Sequence, residues 1–192
     1  MQRPDPAKRR EILEVAARLF ASKPFHEVRL EDVASAAHIG KGTIYIYFES
    51  KETMYLTLIH EGFTAMVESL KADMQFPASD VWTRLGQAAD GLIRFAAGFP
   101  DLFRVLRSGV LTAEDPELQS RRRELALIVE DAIRLGNKAG QTSDPAPELT
   151  AQFLLSFVRG AMLYPPPGMT PESLKSHLLH VLRRGIGVGA AA

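Results

Sequence analysis

The chain has 192 residues, of which 46% are hydrophobic, and its 23 basic side chains balance its 23 acidic ones. That length can bury a sizeable core, and the zero net charge excludes a partner chosen by bulk electrostatics alone. With no cysteine, disulfides and thiolate metal centres are excluded and a reducing compartment fits.

The first ten residues set Arg3, Lys8, Arg9 and Arg10 against only Asp5. Such a basic arm suits a phosphate backbone, and a frayed, solvated terminus fits equally. Charges recurring at Glu11, Glu14 and Arg18 leave no signal-peptide core. The longest apolar run, about 153–163, contains Arg159 and is too short to span a bilayer. A soluble cytoplasmic protein with no membrane partner is expected.

From residue 8 to 22, Ile12, Leu13, Ala16, Leu19 and Phe20 recur with helical period, until Lys23–Pro24 stops the helix. Phe25 is expected to fold back on the same core. A second helix runs from about Leu30 to Ala37, with Glu31 and Asp32 in the first turn, where the helix dipole favours them. His38–Ile39–Gly40 forms a turn. A third helix covers about Lys41 to Phe48, burying Ile44 and Phe48. Two short helices about a tight turn, after a first helix, make a helix-turn-helix unit.

Ser50 caps a long fourth helix to about Met74, with Tyr55, Leu58, Ile59, Met66 and Leu70 inward. Phe76–Pro77–Ala78 closes it. A fifth helix (Asp80 to about Gly98) turns Val81, Leu85, Ala88, Leu92 and Ala96 inward. A short sixth begins at Pro100, and Thr112 to Pro116 is a loop. The seventh (about Pro116 to Lys138) buries Leu118, Leu125, Ile128, Val129, Ala132 and Leu135, and its Arg121–Arg122–Arg123 run reads as a solvated face. The eighth (about Glu148 to Leu163) is apolar over more than half its circumference, the pattern of a helix buried between layers. Tyr164–Pro165–Pro166–Pro167–Gly168 breaks it, and a ninth follows from Pro171 to Ile186. Gly187–Ala192 is expected to lack fixed structure. With no strand alternation and no internal repeat, the fold class is all-α with about nine helices.

The chemistry concentrates in Ile39–Glu52. Gly42 lets a duplex approach the helix backbone, at a propensity cost of roughly 1 kcal/mol against alanine, unless the helix start merely tolerates it. The Thr43 methyl suits a thymine C5 methyl. Lys41, Tyr45 and Tyr47 can reach phosphate or sugar, and Lys51 sits where a phosphate would also meet free backbone N–H groups.

These residues carry a resemblance. RREILEVAARLF…VRLEDVASAAHIGKGTIYIYFESKE resembles the DNA-binding domain of the TetR family of transcriptional regulators, closely over about residues 8 to 60. FPDLFRVL and TPESL resemble the family only weakly. The resemblance implies a homodimer on an inverted-repeat operator, released by a small apolar or amphipathic effector. It divides the chain into a DNA-binding head (1–50), a ligand-binding and dimerisation domain (51–187) and a tail (188–192). It carries DNA contact onto Lys41, Gly42, Thr43, Tyr45, Tyr47 and Lys51, and onto Arg29 at the second helix. Three departures stand out. His38 occupies a turn position often needing positive φ and usually glycine. Gly40 replaces a capping serine. Val28–Arg29–Leu30 replaces a Thr/Ser helix entry, where Arg29 can substitute charge for a lost hydroxyl.

Apolar residues beyond the needs of a simple core, Phe63, Met66, Trp82, Phe95, Phe99, Phe103 and Met162, are candidates to line an effector pocket, with ordinary core packing as the alternative. Arg159 either pairs across a dimer interface or meets an anionic ligand. Phe153, Phe157, Arg159, Leu174, Leu178, Val181 and Leu182 on the last two helices suit an intersubunit four-helix bundle. His177 and His180 share a helix face at i, i+3, but no carboxylate or cysteine accompanies them, so no metal is expected. Nor is any catalytic group or cofactor expected: Ser108–Gly109 and Ser156 lack a nucleophile elbow, and no phosphate-binding glycine loop exists. Activation of transcription, or a helical interaction protein that has lost DNA binding, are the alternatives to repression.

Overall fold

The computed structural model describes residues 5–74, 80–107 and 115–189, so the expected break at 76–78 and residues 112–114 of the expected loop 112–116 lie outside the described residues. Among the described residues there are nine α-helices and no strand. They are α1 (Pro6–Ser22), α2 (Leu30–Ala36), α3 (Lys41–Tyr47), α4 (Lys51–Met74), α5 (Val81–Gly98), α6 (Pro100–Arg107), α7 (Pro116–Lys138), α8 (Pro147–Leu163) and α9 (Pro171–Ile186), with one 3-10 turn at Phe25–Glu27.

The chain forms two compact units, residues 1–64 with 99–119, and residues 65–98 with 120–192. The division falls inside α4, beyond the expected boundary at residue 50, because the first turns of α4 are part of the first unit's core. There Ile12, Ala16, Val33, Ile44, Met54 and Ile59 are buried, and Phe20, Phe25 and Tyr55 form an aromatic cluster. Tyr55 meets both phenylalanine rings edge-on at centroid distances of 4.9 Å. So Phe25 does return to the core of α1, and the proline that ends α1 sets up the reversal. The α6 helix packs on α1 and crowds α4 so closely that a Cβ at Gly62 would lie 2.8 Å from a Leu102 methyl carbon. His60 stands between two carboxylates at the start of α7, with Nε2 2.9 Å from Asp115 and Nδ1 3.1 Å from Glu117.

In the second unit α5 packs on α8 and α9. The expected α5 stripe is buried throughout, as are Leu174, Leu178 and Leu182 of α9. Three expectations are corrected here. Leu135 is 50% exposed, because the buried register of α7 runs through Val129, Ala132, Ile133 and Gly136 and leaves position 135 outside. The Arg121–Arg123 run is more than a solvated face. Arg121 pairs with Glu124 at 3.0 Å, and Arg123 reaches Glu130 at 3.0 Å, a carboxylate whose side chain is only 4% exposed and which Arg134 also holds at 2.8 Å. Burial favours protonation, yet the Glu130 carboxyl stays below its ordinary 4.5, chiefly through the Arg134 hydrogen bond.

The third correction concerns α8. Only Pro147, Ala151, Leu154 and Val158 are buried, while Leu149 is 68% and Phe153 46% exposed. One stripe packs on α5 and α9, and the chain itself leaves the second apolar face uncovered. The start of the expected tail is also held. Gly187 bridges to Thr142, and the Val188 N–H donates to the Gln141 carbonyl at 3.3 Å. Residues 190–192 lie outside the described residues. No helix among the described residues is long and apolar enough to cross a membrane.

Candidate nucleic-acid interface

The turn between α2 and α3 is built from backbone hydrogen bonds. The His38 N–H donates to the Ser35 carbonyl at 3.1 Å, and the Ile39 N–H to the Ala34 carbonyl at 2.9 Å. This closure requires His38 at φ 54°, the only positive φ at a non-glycine among the described residues. The resemblance marks that position, where glycine is usual. Gly40 then serves as the α3 N-cap without any side-chain bond. Ala37 and Ile44 are buried on either side of the turn and lock α3 against α2.

With Ile44 and Phe48 inward, the opposite side of α3 faces solvent. Lys41, Gly42 and Tyr45 are exposed, and Thr43 and Tyr47 half-buried. A Cβ placed on Gly42 would meet nothing within 4 Å, so nothing in the chain itself requires glycine there. Ile46 is 61% exposed. The sequence reading passed over it because the IYIY run looks uniformly apolar. The signal was its two-residue offset from Ile44, which on a helix turns it away from the core. Its apolar tip suits a thymine methyl.

The basic and phenolic groups are already engaged by acceptors or donors of the chain. Lys41 Nζ lies 2.8 Å from a Glu31 oxygen, and the Tyr45 hydroxyl donates to the same oxygen at 3.3 Å. The Glu31 carboxyl is held below its ordinary 4.5, first by the Lys41 hydrogen bond, and Lys41 is raised above 10.5, first by its bond to Glu31. The Tyr47 hydroxyl accepts from the Asp5 N–H at 3.3 Å. Lys51 Nζ donates to the Phe25 carbonyl at 2.9 Å and sits 4.3 Å above the Phe25 ring. Glu31 was expected only as a dipole-favoured residue. Nothing in linear spacing links position 31 to 41, because the pairing depends on how the turn folds α3 back over α2.

Arg29 is exposed at the α2 N-cap, its own N–H donating to Asp32 at 2.9 Å. Beside it an open depression of about 330 Å³ is lined by Arg29, Glu31, Tyr45, Glu49, Ser50 and Lys51, among others. Ser50 caps α4 there, its hydroxyl accepting from the Thr53 N–H at 3.0 Å. Of the N-terminal basic residues, Lys8 and Arg9 are engaged within the chain, while Arg10 is exposed. Asp5 caps α1 by accepting from the Ala7 N–H at 2.9 Å, Lys8 pairs with Glu11 at 2.8 Å, and Arg9 reaches Glu61 at 2.6 Å. Arg3 lies outside the described residues.

The remaining expected residues divide by exposure. Of the effector-pocket set, Phe63, Met66 and Phe95 are buried, Trp82, Phe103 and Met162 are half-buried, and Phe99 is exposed. Of the interface set, Phe153, Arg159 and Val181 are exposed and Phe157 is half-buried. Leu174, Leu178 and Leu182 turn into the chain's own core. Their i, i+4 spacing made a true apolar stripe legible, without showing which neighbour it covers. His177 and His180 are exposed, and His177 stacks on Phe157. No group of three His, Asp or Glu residues among those described could hold a metal ion.

Two short helices locked by a positive-φ turn, with the second offering glycine, hydroxyl and basic groups outward, define a helix-turn-helix DNA-binding protein. The family model for bacterial regulatory proteins of the tetR family matches residues 12–58. Over 160 residues the chain is 28% identical to the nucleoid occlusion factor SlmA of Marinobacter nauticus, covering 81% of this chain and 82% of that one. In fold it is similar to a bacterial regulatory protein of the tetR family from Rhodococcus RHA1, with TM-score 0.85, 18% identity, and 95% and 98% of the two chains covered. It is similar also to AibR, solved in complex with isovaleryl coenzyme A and operator DNA, with TM-score 0.79, 19% identity, and coverage of 91% and 97%. Residues 12–58 therefore form a DNA-binding domain of the tetR family of bacterial regulatory proteins, and the chain is a DNA-binding protein.

Proposed function

We propose that the chain is a cytoplasmic, ligand-responsive repressor that binds an inverted-repeat operator as a homodimer. The observation that carries the DNA contact is the outward face of α3, where Gly42 has open space before it and Lys41, Thr43, Tyr45 and Ile46 surround it. In this reading Thr43 and Ile46 meet base edges, while Lys41, Tyr45, Tyr47, Lys51 and Arg29 hold phosphates. The head is α1–α3 with the first turns of α4, and the residues beyond them, to 187, carry effector binding and dimerisation.

The uncovered apolar side of α8 supports the dimer. Leu149 and Phe153 project from it, and Phe157, Gly160 and Ala161 line an open, largely apolar groove of about 600 Å³ that continues over the proline break to Met169 and His177. A second copy related by a two-fold axis would bury this face against itself. Leu178 and Leu182 drop out of the interface, whereas Leu174 lines the groove and stays with Phe153, Phe157, Arg159 and Val181. A dimer places two α3 helices in successive major grooves about 34–36 Å apart.

The effector is a small apolar or amphipathic molecule taken up among the residues after 51. It releases DNA only in so far as it binds the DNA-free arrangement more tightly than the DNA-bound one. AibR, with its acyl-coenzyme A and operator complex, is a neighbour for which both kinds of ligand are on record. The test is fluorescence anisotropy on duplexes tiled across the region upstream of the chain's own gene. One tile should bind with an affinity that falls steeply with salt and with a stoichiometry of two chains per site. Failure of every tile, with or without added apolar ligands, would sink the proposal.

A further inference from the structure

We infer that Glu31 is an internal competitor for DNA, a carboxylate occupying the place of a phosphate against Lys41 and Tyr45 until the duplex displaces it. This rests on the reading of α3 as the DNA-facing helix. Three observations carry it. One Glu31 oxygen takes both the Lys41 ammonium at 2.8 Å and the Tyr45 hydroxyl at 3.3 Å, the two groups a phosphate oxygen would take. The pair is solvent-facing, with the Lys41 side chain 69% and the Glu31 side chain 43% exposed. Pairs so exposed contribute little to folding, so their main consequence falls on whatever approaches that face. Third, Glu31 lines the same depression as Arg29, Glu49, Ser50 and Lys51, so an incoming phosphate meets two cations and two carboxylates there.

The consequence follows from counterion release. A lysine that neutralises a phosphate releases condensed cations and steepens the salt dependence of binding. A lysine already neutralised by its own chain must first give up that partner. The freed Glu31 carboxylate then stands beside the polyanion. The net gain from Lys41 is therefore small while Glu31 is charged. Glu31 holds back contacts made by charge alone, which dominate binding to DNA of arbitrary sequence.

The experiment uses the full chain and a fluorescent mixed-sequence duplex, with affinity measured over a salt series. The variants are E31Q, K41M and E31Q/K41M. Glu31 is exposed, and the amide retains an acceptor for the Tyr45 hydroxyl, so E31Q leaves the head folded. One recovered phosphate contact steepens the log–log salt slope by about 0.9, which is about eightfold in affinity at roughly 0.1 M salt relative to 1 M. The expected result is that gain in E31Q and none when E31Q is added to K41M. An E31Q slope and affinity equal to or below wild type would overturn the assignment. So would an equal gain in the K41M background, which would make Glu31 a diffuse charge acting without Lys41. Those outcomes leave DNA binding itself standing. Absence of salt-dependent binding by every variant, wild type included, would instead remove the DNA-facing reading of α3, and the assignment with it.

Discussion

Gly42→Ala separates what α3 needs for folding from what it needs for DNA. The built Cβ meets nothing within 4 Å, so the methyl causes no clash inside the chain. Gly42 is the second residue of a seven-residue helix. Alanine is favoured over glycine in a helix interior by up to about 1 kcal/mol, and near the first turn about half of that is a fair expectation. For a chain of this length 0.5 kcal/mol corresponds to a rise in Tm of roughly 1–2 °C.

At the DNA the sign reverses. A methyl forced into a close-packed contact costs about 1–3 kcal/mol, which is roughly a five- to 150-fold loss of affinity. No charge is removed, so the salt slope should not change. Scanning calorimetry and anisotropy on one preparation give both numbers. Higher Tm with weaker binding and a constant slope is the expected pattern. Higher Tm with unchanged affinity would refute the claim that the duplex approaches α3 at position 42. A lower Tm would refute the account of the helix itself.

Three further outcomes are expected. His38→Val should lower stability by about 1–2 kcal/mol, since a β-branched side chain fits poorly at φ 54°, and a chemical denaturation midpoint equal to wild type would count against the turn geometry. Glu130→Ala should destabilise by about 2 kcal/mol through loss of charge-assisted bonds to Arg123 and Arg134. Because the Glu130 carboxyl lies below its ordinary 4.5 in the folded chain, that contribution is fully present above about pH 4.5 and lost as pH falls through the lower folded value. Tm against pH should therefore converge for variant and wild type in acid, and parallel curves would contradict the assignment. Phe153→Glu, on an exposed site, should leave the fold intact and halve the mass seen by sedimentation, and an unchanged mass would rule out the α8 face as the dimer contact.

The helices were legible in the sequence because their signals are local. Proline at Pro24 and Pro100, the Ser50 cap and the i, i+4 stripes each act within one or two turns, and the observed boundaries follow them. The positive φ of His38 was expected from the resemblance, since the family usually places glycine at that turn position. What failed to show were facts about neighbours. The stripe Leu174–Leu178–Leu182 looks the same whether it meets α5 or another chain. The Arg121–Arg123 run looks solvated until Glu130 is found buried beneath it. Leu135 is apolar and in phase, yet the register of α7 leaves it in solvent. At the candidate interface, α3 was read correctly as a surface helix. Its partners Glu31, Asp5 and the Phe25 carbonyl were not, because each pairing spans a chain reversal that no spacing encodes.

Those partners bear on how tightly the head can bind. A flexible lysine or tyrosine that orders only on the DNA costs about 0.5–1.5 kcal/mol per side chain at the interface. Here Tyr45, Tyr47, Lys41 and Lys51 are each already tied within the chain, so part of that ordering is complete before DNA arrives. The ties differ in kind. Tyr47 accepts from a backbone N–H and keeps its own proton to donate. Lys51 uses one of its three donors on a neutral carbonyl and keeps two, so both are oriented without being neutralised. Lys41 and Tyr45 are both held by the Glu31 carboxylate, and for Lys41 that partner neutralises the charge that DNA would use. Orientation without neutralisation favours every duplex, whereas neutralisation must be undone at each encounter. Glu31 is therefore the point at which this head trades strength of binding for restraint.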